Sequence, residues 1–127
     1  MAKLAGASAT HVAFAFLAMG GWALFANRAH GAAAVLPALA QGALSGGITF
    51  VLKRTLEWLA DRLAGWRALV LPPLITASAI LATLVGVHVA IGTPEVAATV
   101  AVPWSVSTLY AFVYSAMLGR RRRRDTT

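Results

Sequence analysis

The chain has 127 residues, 59% of them hydrophobic and only 12% charged. A soluble domain carries about 25% charged residues, and a small domain has proportionally more surface to wet, so an ordinary soluble domain is excluded. The net charge of +7 is confined to short segments: ten of the eleven Lys and Arg fall at residue 3, within 53–67 or within 120–124. That distribution reads as a membrane topology signal and argues against nucleic acid as a partner.

Residues 4–27, 29–52, 68–94 and 96–119 contain no Lys, Arg, Asp or Glu. A helix needs about 20 apolar residues to cross the hydrocarbon layer, so these four runs are four candidate spans. A soluble four-helix bundle would need a charged face on each helix, and none of the runs has one. The fold class expected is all-α: a polytopic membrane protein with four transmembrane helices in two hairpins, joined by an amphipathic cytoplasmic segment.

The first span is expected over residues 9–27, with Ser8 or Thr10 as its cap and Trp22 and Phe25 at interfacial depth near its far end. This run is longer than a secretory h-region and no small-residue cleavage site follows it, so it is read as a retained span. Asn27, Arg28, His30 and Gly31 then mark a tight turn. The second span is expected over 32–52, with Pro37 inside it as a kink. Ala38, Gly42 and Gly46 are spaced by four, a stripe where a neighbouring backbone can approach closely. Gln41 falls near the middle of this span.

Residues 53–67 place Leu56, Leu59, Leu63 and Trp66 on one helical side and Lys53, Arg54, Glu57 and Asp61 on the other. The expectation is a separate amphipathic connector lying at the membrane interface or packed on the bundle ends. The third span is expected over 71–91, with Pro72 and Pro73 in its first turn. Ser78, Ala82, Gly86 and Ala90 form a second small-residue stripe. Thr93, Pro94 and Glu95 have the order of a helix start, namely a capping hydroxyl, a proline at N1 and an acid in the first turn. The fourth span is expected over 95–118, with Pro103 as a second kink. A basic tail, 119–127, follows. A shift of 66 residues superposes the two pairs of spans and matches Pro37 with Pro103, a weak parallel repeat whose interior prolines point to a binding site.

The candidate intramembrane polar site follows from that pointer. It comprises Gln41 and Ser45 in the second span, and Ser105, Ser107, Thr108 and Tyr110 beside Pro103 in the fourth. Pro103, Ser107, Tyr110 and Tyr114 share one helical face. Polar groups in hydrocarbon need partners, so the alternatives are a small polar cavity or hydrogen bonds that hold helices together. His88 joins the set as an ionisable residue within a span, either a functional group or a neutral packing histidine. The three histidines lack metal spacing, the chain has no Cys, and no nucleophile, base and orienter occur together, so no catalytic residue, metal site or cofactor is expected.

In size and span count the chain resembles proton-coupled antiporters of the small multidrug resistance type. That family depends on a Glu embedded in its first span, and the first span here has none, which argues against the same chemistry. The functional expectation is a small non-enzymatic membrane protein, a transporter- or flippase-like unit working as an oligomer. The alternative is a structural or assembly subunit of a larger membrane complex. Expected partners are the lipid bilayer, anionic headgroups at the basic segments, and either a homo-oligomer or another membrane protein. The positive-inside bias puts both termini in the cytoplasm, and an Ala-, Gly- and Arg-rich composition of GC-rich bacterial type suggests the inner membrane.

Overall fold

A computed structural model describes residues 2–126, and the burial of side chains from residue 8 to residue 125. The order is α1 (Ala2–Ala26), a 3-10 stretch (Arg28–Ala34), α2 (Val35–Asp61), α3 (Trp66–Ala90) and α4 (Val96–Thr126). Each of the four α-helices contains a segment long and apolar enough to cross a membrane. At 1.5 Å per residue each is about 37 Å or longer, against about 30 Å of hydrocarbon.

The distribution of side chains is inverted relative to a soluble bundle. Phe14 and Leu17 are each 72% exposed and Leu109 is 67% exposed, while Asn27, Gln41, His88 and Thr99 are fully buried. Lipid is the solvent that suits this surface, and the polar groups inside have found partners away from it. A compact apolar core of Leu52, Leu56, Ile80, Leu84, Val100 and Ala111 ties α2, α3 and α4 together.

α1 packs on α2 in antiparallel register, and the small-residue stripe makes that seam. A side-chain carbon added at Gly42 would lie 3.0 Å from the Phe16 carbonyl oxygen, and one at Gly46 would lie 3.2 Å from Val12 Cγ1. From the other side, a carbon at Gly20 would lie 3.0 Å from the Ala38 carbonyl oxygen. Ala38, Gly42 and Gly46 are therefore used within the chain. The second stripe is not: Ser78, Ala82, Gly86 and Ala90 are all exposed on the outer side of α3, and nothing lies within 4 Å of a carbon added at Gly86. α3 and α4 are also antiparallel, with Trp104 Nε1 donating to the Ala77 carbonyl at 2.9 Å and Gly119 close to the Leu69 side chain.

Several boundaries differ from expectation. α1 begins at Ala2, ahead of the caps proposed at Ser8 and Thr10, and Lys3 lies among residues whose side chains are outside the description. Residues 53–61 are the end of α2, continuous with the span, because no breaker occurs between Phe50 and Asp61. The separate connector shrinks to a turn at 62–65, where Gly65 takes a positive φ of 63° and starts α3. The helix therefore begins at Trp66, and Pro72 and Pro73 lie inside it and not in its first turn. The Thr76 hydroxyl donates back to the Pro72 carbonyl at 2.9 Å. Pro37 moves the opposite way: it is the third residue of α2, where a missing donor costs little, so it makes no mid-span kink. Pro103 is interior to α4 and the helix continues past it. The two prolines matched by the 66-residue shift thus occupy unlike positions. Residues 119–126 of the basic tail extend α4, and Thr127 lies outside the described residues.

Candidate functional site

Two ends of the bundle can be told apart. The loop end carries residues 27–34 and 91–95; the basic end carries the start of α1, the 62–65 turn and the end of α4.

At the loop end, α3 stops in a Schellman motif. The Gly92 N–H donates to the Val89 carbonyl at 3.2 Å and the Thr93 N–H to the His88 carbonyl at 2.9 Å, with Gly92 at φ 73°. This fold-back brings the Thr93 hydroxyl within 2.7 Å of His88 Nδ1. Thr93 thus meets His88 and does not serve as the cap of α4. The other ring nitrogen, Nε2, lies 2.9 Å from Gln41 Oε1, and Gln41 Nε2 donates to Ser45 Oγ at 2.8 Å. One set of roles satisfies every bond with a neutral imidazole. The Gln41 amide nitrogen donates to Ser45, its oxygen accepts from His88 Nε2–H, and Nδ1 accepts from Thr93, so an imidazole with one ring proton satisfies both bonds. Gln41, His88, Ser45 and Thr93 are all buried.

A second network at the same end centres on Asn27. Its Nδ2 donates to the Ala23 carbonyl at 2.8 Å and to Thr99 Oγ1 at 2.7 Å, and its Oδ1 accepts from the Glu95 N–H at 2.9 Å. Thr99 in turn donates to the Glu95 carbonyl. An asparagine at the end of α1 therefore caps α4 from across the bundle. Trp22 Nε1 donates to the Ala98 carbonyl at 2.8 Å, and the exposed His30 and Glu95 side chains meet at 3.1 Å. The end of α1 is tied to α4 here by Trp22 and Asn27, and the two loops by His30 and Glu95.

Towards the basic end α1 and α4 part. Between α1, α2 and α4 lies a cleft of about 890 Å³, within the range of small-molecule sites. Its deeper walls are apolar, with Val12, Ala15 and Met19 from α1, Ile48 and Leu52 from α2, and Val106 from α4. Ser45 and Ser107 face it at the level of Pro103. Its mouth holds His11, Lys53, Arg54, Glu57, Tyr110 and Tyr114. The Tyr114 hydroxyl donates to Glu57 Oε1 at 3.0 Å, the two tyrosine rings stack with centroids 5.6 Å apart, and Lys53 Nζ sits 5.9 Å from the Tyr114 ring centre. Beyond the mouth, Arg122 binds the Ala60 carbonyl at 2.8 Å and the Asp61 carboxylate.

The expected site residues divide accordingly. Gln41 turns to α3 and His88, not to α4. Ser45 joins the two features: it accepts from Gln41 and lines the cleft, and its own hydroxyl proton has no acceptor among the described residues. Ser107, Tyr110, Tyr114 and Pro103 line the cleft together. Thr108 is half-buried with an unpartnered hydroxyl, and Ser105 is exposed on the outside of α4. Polar groups thus run along the bundle from Tyr114 and Glu57, past Ser107 and Ser45, to Gln41, His88 and Thr93. Sequence reasoning missed Asn27 and Thr99, because an Asn beside a charged turn reads as a turn residue and only the packing of α1 on α4 gives its amide other work. It also missed Glu57 as a cleft residue, having assigned it to a separate connector. Among the described residues no group of three His, Cys, Asp or Glu could hold a metal.

The four apolar spans and the lipid-compatible surface define the class: an all-α protein with the make-up of a multi-pass membrane protein. No family model, curated protein or solved structure matches the chain.

Proposed function

We propose that this is a non-enzymatic inner-membrane unit of transporter or flippase-like type, working as an oligomer through the cleft of α1, α2 and α4. The observation that carries the reading is the cleft itself. It is a space of about 890 Å³ lined by Ser45 and Ser107 towards the middle of the bundle and by charged groups towards the basic end. Beyond Ser45 the buried series Gln41, His88 and Thr93 fastens the loop end by hydrogen bonds.

In this reading the helices form two hairpins. The basic end, with both termini, faces the cytoplasm, and its arginines attract anionic headgroups. The bare stripe on α3, Ser78 to Ala90, is where copies of the chain meet. That same stripe favours the second reading, a subunit docked on another membrane protein. Purification in mild detergent separates the two by mass. A defined homo-oligomer supports transport, and co-purification with another membrane protein at fixed stoichiometry supports the subunit.

A further inference from the structure

We propose that the cleft takes an anionic phospholipid from the leaflet at the basic end, with its headgroup at Lys53 and Arg54. This names the substrate class of the site just described and rests on that reading. Three observations converge on it.

The first is the order of polarity along the cleft. Charged and tyrosine side chains line the mouth, while Val12, Met19, Ile48 and Val106 line the interior. That is the sequence of an amphiphile lying parallel to the helices, headgroup at the interface and tail in hydrocarbon. Lys53 is about 12 Å along α2 from Ser45 at 1.5 Å per residue, so the part of an acyl chain next to the headgroup lies between the two levels. The second is unspent charge. Neither Lys53 nor Arg54 has a carboxylate within ion-pairing distance among the described residues. Their recorded neighbours are aromatic rings, Tyr114 for Lys53 and Phe50 for Arg54. Glu57 is the one acid in the cleft, and it is held by the Tyr114 hydroxyl, leaving the mouth net cationic. The third is depth. Tyr110 and Tyr114, apolar rings with polar tips, suit the headgroup boundary.

The test uses the full chain, purified in mild detergent with equimolar phosphatidylglycerol and phosphatidylcholine, and counts bound lipid by native mass spectrometry. One net positive charge at the mouth gives a preference for phosphatidylglycerol of about fivefold. The paired change Lys53→Gln and Arg54→Gln leaves Glu57 as the only charged group at the mouth apart from His11 and abolishes or reverses the preference, while Arg28→Gln at the loop end leaves it unchanged. Should the paired variant misfold, Val106→Trp, which fills the cleft and leaves both cations in place, lowers the number of lipids bound. Equal binding of both lipids by the native chain overturns the proposal. So does a preference that survives loss of Lys53 and Arg54, or one that vanishes with Arg28. Occupancy is read here without movement or partners. A chain that purifies as a fixed subunit of another complex can still pass this test, so the two readings fail separately.

Discussion

The loop end and the basic end of this bundle are built from the same four helices yet solve opposite problems. At the loop end every recorded polar side chain of the interior is engaged: Asn27 reaches Ala23, Thr99 and Glu95, and His88 reaches Gln41 and Thr93. At the basic end α1 stands off α4, and Ser45, Ser107 and Lys53 face open space. Polar groups in a membrane protein serve as fasteners when each has a partner, and mark a site when they line a volume and lack one. The two ends separate these roles within one chain.

If this contrast is right, substitutions should cost most at the loop end. The largest expected effect is Asn27→Leu. It leaves the part-buried Glu95 N–H without its acceptor and the buried Thr99 hydroxyl without its donor, for a loss of about 2–4 kcal/mol, read as a lowered unfolding midpoint in detergent. Gln41→Leu comes next. It strips the acceptor from His88 Nε2, and interhelical hydrogen bonds in membranes are worth about 0.6–2 kcal/mol. A native midpoint for Gln41→Leu would break the assignment of that network as a fastener. Ser107→Leu, at the cleft, should change stability by less than about 0.5 kcal/mol while reducing whatever the cleft binds. A large destabilisation there would show that the cleft is a packed interface and not a site. His30→Ala should likewise cost little. The pair with Glu95 is 40% and 51% exposed, and solvent screening limits such a pair to about 0–1 kcal/mol. A loss as large as that of Asn27→Leu would mean that the seal lies in the loops and not in the helices.

The four spans were legible because charge-free runs of the required length leave no other solvent for these side chains. The helix ends were not. The amphipathic pattern at 53–61 is compatible with a separate surface helix or with an extension of the span, and only the absence of a breaker before Gly65 decides it. The two small-residue stripes look alike in sequence. Gly42 lies against the Phe16 backbone while Gly86 has open space beside it, a difference that spacing cannot encode. Ser107, Tyr110 and Tyr114 were legible as one face from helical periodicity. The partners of Gln41 and Asn27 were not, because both are set by how α1, α3 and α4 close around α2.

The chain contains no Cys, so a single introduced thiol reports without background, and this gives the most direct test of the central claim that the two ends lie on opposite faces of a bilayer. A membrane-impermeant maleimide applied to intact cells should label Ala29→Cys at the loop end and should label Arg124→Cys only after the membrane is opened. Labelling of both thiols on intact cells, or of the Arg124→Cys thiol alone, would contradict the account.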